Sequence, residues 1–278
     1  MTIAQALRAA SESLSVTSDT PRLDAELLMA HAMRKSRSEL LLRHMADTPP
    51  AAFASFVERR LAHEPVAYIV GRQEFYGIEF AVNRHTLIPR ADSETLVEAA
   101  LSACPDAENV LDCGTGSGAL LAAVLVHLPQ AQGVGIDRSG KALDVADANI
   151  GGLGLAHRAR LIEADWTRGD WQKVFRGGRF DLILANPPYV EDTAELMPSV
   201  AVHEPHSALF AGPEGLDDYR ALIPQLPGLL APAGVAIVEI GHAQADAVTA
   251  IAQAAGLTAR LHRDLGARPR ALELRQSA

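Results

Sequence analysis

The chain has 278 residues, of which 48% are apolar and 21% charged, a composition that supports a sizeable core and excludes general disorder. It carries 25 Lys and Arg against 34 Asp and Glu, so a net charge of −9 excludes a global attraction to nucleic acid or anionic lipid. Its two cysteines, Cys104 and Cys113, exclude a disulfide framework and a cysteine-rich metal site. The apolar runs are too short to span a membrane and no secretory signal is visible, so we expect a cytoplasmic protein with no membrane partner.

Residues 1–67 have the apolar spacing of a helical bundle. Apolar residues recur at three-to-four spacing at Ile3, Leu7, Leu14, Leu23, Leu27, Leu28 and Met33. Pro21 is typical of a helix start, and Ser36 followed by Glu39 resembles a capping box before a third helix. A further helix is predicted around residues 53–63. These signals predict a small helical domain over residues 1–67.

The residue pattern changes from helical spacing after Pro65. Residues 68–85 combine aromatic and β-branched residues with Gly71 and Gly77, which predicts a β-hairpin linker between two domains. Over residues 86–278, short apolar segments alternate with helical ones. The predicted strands are 109–113, 133–137, 159–164, 181–185, 234–240, 258–263 and 270–274. This alternation predicts an α/β domain with a mostly parallel seven-stranded sheet and helices on both faces.

A glycine-rich turn follows the first strand of this domain. It reads Asp112-Cys113-Gly114-Thr115-Gly116-Ser117-Gly118 and leads into an apolar helix at 119–127. Glycines let a ligand approach the backbone, and the start of a helix offers free N–H groups. Asp137 ends the next strand, 23 positions after Gly114, where a carboxylate can accept hydrogen bonds from ribose hydroxyls. The pair predicts a nucleoside ligand, and a nicotinamide dinucleotide stays possible because Gly114, Gly116 and Ala119 also fit G-x-G-x-x-G/A.

The tetrapeptide Asn186-Pro187-Pro188-Tyr189 directly follows the apolar strand at 181–185. Ligands bind outside the carboxyl ends of the strands in open α/β sheets, so the tetrapeptide is expected beside the glycine-rich turn. The prolines lack N–H donors and restrict the backbone, the Asn186 side chain adds a carbonyl acceptor, and Tyr189 offers a flat face. Together these groups suit a planar NH2 group. Because an amide nitrogen is a poor nucleophile, holding and aiming it is the help that it needs.

These motifs resemble those of S-adenosylmethionine-dependent methyltransferases that modify amino groups. Further matching segments are Glu64-Pro65-Val66-Ala67-Tyr68-Ile69, Glu74-Phe75-Tyr76-Gly77-Ile78-Glu79-Phe80, Leu87-Ile88-Pro89-Arg90 with Glu94, and Glu204-Pro205-His206-Ser207-Ala208-Leu209. In this order, over nearly the whole chain, they resemble the protein-glutamine N5-methyltransferases of peptide chain release factors, the HemK or PrmC family.

The resemblance implies methyl transfer from S-adenosylmethionine to the side-chain amide of the glutamine in the Gly-Gly-Gln motif of class-1 release factors. It implies S-adenosylhomocysteine as product, no metal, a Rossmann-like catalytic domain over 86–278 and substrate recognition by the helical domain. Residues 114–118 would hold the cofactor, with Asp137 at the ribose and Asp165 and Trp166 beside the adenine. Asn186 would lie between cofactor and substrate. The residues expected to hold the glutamine are Asn186, Pro187, Pro188 and Tyr189.

Several positions within the resemblance have no assigned role or depart from it. Arg90, Glu94, Glu204 and His206 fit the family pattern but serve structural ion pairs or loop order equally well. The departures are Ala91 where a proline is common, Cys113 where a larger aliphatic residue is usual, and Pro269 in a stretch that is usually more polar. They concern local packing and the substrate-facing edge.

Other functions fit parts of the sequence. An adenine-N6 methyltransferase acting on nucleic acid would use the same tetrapeptide, but residues 1–80 carry nine Lys or Arg against ten Asp or Glu, which disfavours phosphate binding. The local cluster at 34–37 is the one basic run there. A dinucleotide oxidoreductase fits the glycine-rich turn but gives no reason for the tetrapeptide. A cofactor-binding module without turnover is the remaining alternative, and we expect no direct contact with nucleic acid.

Overall fold

The computed structural model describes residues 1–277 and divides the chain into two compact units. The helical unit comprises Met1–Arg72 and Leu196–Glu204, and the sheet unit comprises Gln73–Glu195 and the described chain from Pro205 onward. The helices are α1 Ile3–Leu14, α2 Pro21–Met33, α3 Arg37–Arg43, α4 Ala52–Leu61, α5 Val66–Val70, α6 Glu94–Ala103, α7 Ala119–His127, α8 Gly140–Gly152, α9 Pro198–His203, α10 Asp217–Leu222, α11 Leu226–Leu229 and α12 Ala245–Ala254. The strands are β1 Arg72–Phe75, β2 Ile78–Ala81, β3 Asn109–Cys113, β4 Gln132–Asp137, β5 Ala159–Glu163, β6 Phe180–Ala185, β7 Leu230–Glu239, β8 Leu257–Arg263 and β9 Pro269–Gln276. No helix among residues 1–277 is long and apolar enough to cross a bilayer.

Two helices of the helical unit, α1 and α3, have side-chain N-caps. Thr2 and Gln5 form a reciprocal capping box at α1, because the Thr2 hydroxyl accepts from the Gln5 backbone N–H and the Gln5 side chain accepts from the Thr2 N–H. Ser36 caps α3 by accepting from the Glu39 backbone N–H at 3.1 Å. The Glu39 carboxylate instead accepts from the Lys35 ammonium at 2.8 Å, so only half of the predicted capping box forms.

The core of the helical unit encloses a buried ion pair. Its apolar side chains are Ile3, Leu7, Leu14, Leu28, Met29, Leu40, Phe53 and Ile69. Asp24 on α2 accepts from the Arg60 Nε of α4 at 2.7 Å, and both residues are buried. Arg60 also donates to the Thr17 carbonyl oxygen at 3.1 Å. Leu23, which the apolar spacing placed in the core, is exposed instead, because the turn of α2 that faces inward presents Asp24.

The predicted hairpin begins later than its sequence pattern indicated. Tyr68 lies in the short helix α5, which ends at Gly71 in the left-handed conformation. The hairpin consists of β1 and β2 alone, joined through Tyr76 and Gly77 at positive φ. The prediction of hairpin structure from residue 68 was therefore wrong for its first residues. One turn of helix buries Ala67, Tyr68 and Ile69 together, so packing prevails over the β propensity of these residues.

The sheet unit contains a seven-stranded sheet in the order β5-β4-β3-β6-β7-β9-β8. The pairs from β5 to β7 are parallel, and β9 pairs antiparallel with both β7 and β8. This confirms the predicted α/β class with a mostly parallel seven-stranded sheet. The carboxyl ends of β3, β4 and β6 therefore lie side by side at one edge of the sheet.

Helices cover both faces of this sheet. Alternate residues of β3 and β6 supply the two cores, with Val110 and Leu182 on one face and Leu111 and Ile183 on the other. The first core packs against α6 and α7, and the second against α10, α11 and α12. Helix α7 is buried around most of its circumference, which explains its unbroken apolar sequence.

We expect Asp24→Asn to lower the free energy of unfolding by about 3 kcal/mol, because it leaves the Arg60 guanidinium buried without a counter-charge. Guanidinium denaturation followed by circular dichroism measures this change. Lys173→Ala is the matched control, since it removes an ion pair with Asp170 in which the side chains are 76% and 71% exposed. The control should change the free energy by less than about 0.5 kcal/mol. Equal effects of the two substitutions would contradict a structural role for the buried pair.

Candidate active site

The glycine loop, residues 114–118, connects β3 to α7 with a tightly bonded backbone. The N–H groups of Gly114 and Thr115 both donate to the Ile136 carbonyl oxygen, at 2.9 and 2.8 Å. Gly114 has a φ of 75°, and a Cβ built there would lie 3.0 Å from Cη2 of Trp166. Both the backbone conformation and the close indole ring therefore require glycine at this position.

The far end of the glycine loop is fixed by Asn149 of α8. The Asn149 Nδ2 donates to the Ser117 carbonyl oxygen at 2.8 Å and to the Ala81 carbonyl oxygen at 3.0 Å. Its Oδ1 accepts from the Ala81 N–H at 2.7 Å. One buried amide thus joins strand β2, helix α8 and the glycine loop. Gly118, the last residue of the loop, packs against Ala146.

Two carboxyl groups lie beside the glycine loop. Asp137, at the end of β4, accepts from the N–H groups of Gly116 and Ser139 at 3.0 and 2.9 Å. Burial raises the pKa of the Asp137 carboxyl, and these backbone hydrogen bonds oppose that rise. Asp112 is fully buried beneath the loop and accepts from the Thr115 hydroxyl at 2.6 Å. Burial raises the pKa of Asp112 to about 7.

Asp165 and Trp166 are adjacent in sequence, but their side chains lie in different surroundings. The Trp166 ring covers Gly114, and its Nε1 donates to the Asp218 carboxylate at 2.9 Å. The Asp165 carboxylate accepts from the backbone N–H and the hydroxyl of Thr167, at 2.9 and 2.7 Å. These bonds close a local turn, so Asp165 serves its own loop in this structure.

The tetrapeptide Asn186–Tyr189 leaves β6 next to the glycine loop. Asn186 is half-buried and its carbonyl oxygen faces Gly114, 3.9 Å from where a Cβ would lie on that residue. Tyr189 is held at three points. Its N–H donates to the Leu209 carbonyl oxygen at 3.1 Å, its own carbonyl accepts from Gln244 Nε2 at 3.0 Å, and its hydroxyl donates to Glu239 at 3.3 Å.

A cavity of about 310 Å³, here called the glycine-loop cavity, opens between these elements. Eight residues predicted for the site line it: Gly114, Thr115, Gly116, Ser117, Asp137, Trp166, Asn186 and Pro188. The other four predicted residues, Gly118, Asp165, Pro187 and Tyr189, are not part of its lining. Asp165 lines a neighbouring cavity with Arg138, while Tyr189 lines another with Glu239. The fold therefore gathers most of the predicted residues around one space.

One wall of the glycine-loop cavity was not predicted as part of the site. It comprises Arg84, His85, Thr86, Leu87, Pro89, Arg90 and Ser93. Asn83 shapes this wall, because its Oδ1 accepts from the His85 N–H at 2.9 Å and its carbonyl accepts from the Thr86 N–H at 3.0 Å. Arg138 also lines the cavity and donates to the Ser207 carbonyl oxygen. The segment at 87–90 was part of the family resemblance, but nothing in its sequence indicated that Leu87, Pro89 and Arg90 line a cavity.

A second cavity, the Tyr189 cavity, has a volume of about 380 Å³ and lies at the end of β7. It is lined by Arg90, Ala91, Asp92, Tyr189, Glu239 and Arg270. Glu239 is only 1% exposed and accepts from the Ser93 hydroxyl at 2.6 Å as well as from Tyr189. Burial raises the pKa of Glu239 to about 7. A lone carboxylate ending the apolar run of β7 was the signal for this residue in the sequence.

The residues to which the sequence assigned no role make contacts within the fold. Glu94 accepts from the Tyr76 backbone N–H at 2.9 Å and so supports the hairpin turn. Glu204 is buried, and His206 packs edge-on against Phe210 with ring centroids 5.5 Å apart. Among the departures, Ala91 opens a short 3-10 turn, Pro269 opens β9, and Cys113 is buried in the second core, which raises its thiol pKa.

Two family models match parts of this chain. Residues 5–71 match the PrmC N-terminal domain family, and residues 91–204 match the methyltransferase small domain family. A methyltransferase structure from Pyrococcus furiosus superposes with a TM-score of 0.53 at 15% identity, over 73% of this chain and 90% of that one, and shows a shared fold.

Curated relatives match almost the whole chain. The release factor glutamine methyltransferase of Caulobacter vibrioides is 40% identical over 266 residues, covering 93% of this chain and 90% of that protein. The protein of the same name from Cereibacter sphaeroides is 43% identical over 263 residues, with 92% of each chain covered. At this identity and coverage, the chain belongs to the family of release factor glutamine methyltransferases.

Proposed function

We propose that this protein transfers a methyl group from S-adenosylmethionine to the side-chain amide nitrogen of the glutamine in the Gly-Gly-Gln motif of class-1 peptide chain release factors. The observation that supports the proposal is that the glycine loop, Asn186 and Pro188 line the same cavity. A cofactor bound against the loop and an amide held by the tetrapeptide would share that space. The family membership supports the choice of glutamine over other amino groups.

The chemistry of the cavity fits S-adenosylmethionine. The glycine loop offers backbone that a bulky ligand can approach, and Asp137 offers carboxylate oxygens to ribose hydroxyls. Trp166 supplies a large apolar face, and the side chains of Arg84, Arg90 and Arg138 supply positive charge for a carboxylate. When bound, this cofactor supplies an electrophilic methyl group on a sulfonium. Asp165, tied to its own loop, is a weaker candidate for the adenine side.

The chain's part in catalysis is to hold and orient the amide. The lone pair of an amide nitrogen is delocalised into its carbonyl, so the nitrogen attacks only when it is aimed and fixed. Asn186 accepts one N–H through its side-chain oxygen, and the backbone carbonyl oxygens of a segment containing Pro187 and Pro188 accept the other. Tyr189 is outside the lining of the glycine-loop cavity, so in this proposal its ring meets the planar group from the side of the Tyr189 cavity. Such positioning alone contributes effective molarities on the order of 10⁵ M or more in favourable cases.

Recognition of the release factor belongs in this proposal to the helical unit. Residues 5–71 match a domain family named for this kind of enzyme, which supports a dedicated role. The basic cluster at 34–37 in this unit is partly neutralised. Lys35 pairs with Glu39, and Arg37 pairs with Glu26. The surface of the unit therefore favours a protein partner over a phosphate backbone.

Transfer of a labelled methyl group from S-adenosylmethionine to purified release factor tests the reaction. Label should appear on the intact factor and be absent from a variant whose Gly-Gly-Gln glutamine is replaced by alanine. An adenine-containing DNA duplex is the second acceptor in the assay. Labelling of the duplex in place of the factor would support the adenine-N6 alternative and overturn the proposed substrate.

Asn186→Ala should reduce methyl transfer by about 100-fold or more, because it removes an acceptor that aims the amide nitrogen. The fold should persist, since Asn186 is half-buried at the end of β6. Turnover and thermal unfolding are measured in parallel. Asn109→Ala is the matched control, because it removes an exposed asparagine from the opposite end of the neighbouring strand β3. Near-normal turnover of Asn186→Ala would remove this residue from the mechanism.

Gly114→Ala should weaken cofactor binding by about tenfold or more, because a Cβ strains the backbone by about 1–2 kcal/mol and displaces Trp166. Isothermal titration with S-adenosylhomocysteine measures this affinity without turnover. Gly151→Ala is the control, because a Cβ at that position of α8 meets no atom within 4 Å. Unchanged affinity in Gly114→Ala would show that the ligand does not bind against the glycine loop.

A further inference from the structure

Glu239 is a buried carboxylate that the proposed mechanism does not use. It is the last residue of β7, and its backbone carbonyl accepts from the Tyr219 hydroxyl at 2.9 Å. Its side chain lies at the boundary of three elements. One carboxylate oxygen accepts from Ser93, which precedes α6, and the other accepts from Tyr189 of the tetrapeptide. The carboxylate thus joins the tetrapeptide to the 3-10 turn that precedes α6.

The charged groups around Glu239 come from two further elements. Arg270 of β9 faces it, but the guanidinium donates to Asp92 at 2.8 Å and to Asp264 at 3.4 Å. Asp92 adds negative charge, and Arg90 lines the same cavity. The positive charge of Arg270 is therefore shared among carboxylates. Burial dominates, and it raises the pKa of Glu239 to about 7 despite the hydrogen bonds from Ser93 and Tyr189.

The backbone of Tyr189 does not depend on this contact. Its N–H donates to Leu209 and its carbonyl accepts from Gln244, so the main chain is fixed from both sides. Gln244 is itself held, because its Oε1 accepts from the Gly241 N–H at 3.0 Å. What Glu239 controls is the phenol. Its contact with the hydroxyl, at 3.3 Å, fixes the position of the side-chain tip.

We propose that Glu239 is a positioning residue for methyl transfer: its carboxylate holds the phenol of Tyr189, and protonation of that carboxylate releases the phenol and lowers turnover. The inference rests on the proposed function, which is what places a substrate amide against Tyr189.

The hydrogen-bond chemistry of a carboxyl group explains the dependence on protonation. An ionised carboxylate only accepts, so it receives the Ser93 and Tyr189 hydroxyls at once. A protonated carboxyl must donate from one oxygen, and one hydroxyl must then turn or leave. The contact with Ser93 is short, at 2.6 Å, whereas the contact with Tyr189 is 3.3 Å. The longer contact is the one that yields, so turnover falls as the pH falls through the pKa of Glu239.

The first experiment compares the pH dependence of kcat in the wild type and Glu239→Gln, with release factor as substrate. The wild type should lose activity below about pH 7, and this fall at acidic pH is here called the acid limb. Glu239→Gln should lack the acid limb and should have a rate about tenfold below the wild-type plateau. Glu273→Gln is the matched control, because Glu273 is a buried carboxylate of the same sheet that pairs with Arg275 and His262. It should keep the acid limb.

Two further variants protect the test against misfolding of Glu239→Gln. Ser93→Ala removes a hydrogen bond that favours the ionised carboxylate, so the acid limb should move to higher pH. In the Tyr189→Phe background, the acid limb should vanish and Glu239→Gln should have no added effect. An acid limb that survives in Glu239→Gln or in Tyr189→Phe would overturn the inference.

A readout without turnover separates this inference from the proposed function. In protein labelled with ¹³Cζ-tyrosine, the resonance assigned by its loss in Tyr189→Phe should shift with pH in the wild type and not in Glu239→Gln. A titrating resonance in a protein that never methylates the release factor would refute the proposed function and leave the carboxylate–phenol link standing. If the protein methylates the release factor but its Tyr189 resonance does not shift with pH, only the carboxylate–phenol link would be refuted.

Discussion

The pairing of β3 with β6 is the constraint on which the site depends. These parallel strands join in register from Val110 with Leu182 to Cys113 with Ala185, so the glycine loop and the tetrapeptide leave the sheet side by side. Asp181 fixes the other end of the pair, because its carboxylate accepts from the N–H groups of Glu108 and Asn109 at 3.1 and 2.9 Å. A slip of one residue would turn every side chain of a strand to the opposite face and separate the two motifs.

The elements that sequence alone could specify are those with strong local signals. All seven predicted strands of the sheet form, and each begins within four residues of its expected start, because each is a buried apolar segment between helices. The glycine loop and the tetrapeptide could be placed together from the sequence alone, since ligands of parallel strands in an open α/β sheet bind at one edge. Eight of the twelve predicted site residues line one cavity for that reason.

The features that sequence could not specify depend on distant partners. Nothing local distinguishes Asp24 from an exposed helix residue until Arg60 packs against it. The wall at 84–90 has no periodicity, and its orientation follows from the turn at Asn83. Glu239 differs from an exposed strand-end carboxylate because Ser93 and Tyr189, both far away in the chain, donate hydrogen bonds to it. In each case the decisive contact is long-range, which a pattern in neighbouring residues does not record.

Asn149 has a consequence for how this region opens. Its three hydrogen bonds span Ala81 of the hairpin and Ser117 of the glycine loop, which are distant in sequence. Opening either partner leaves part of the buried Asn149 amide without a hydrogen bond, so separate opening of the hairpin or of the loop is disfavoured. The hairpin and the loop therefore belong to one cooperative unit of local unfolding, with amide hydrogens that exchange with solvent together.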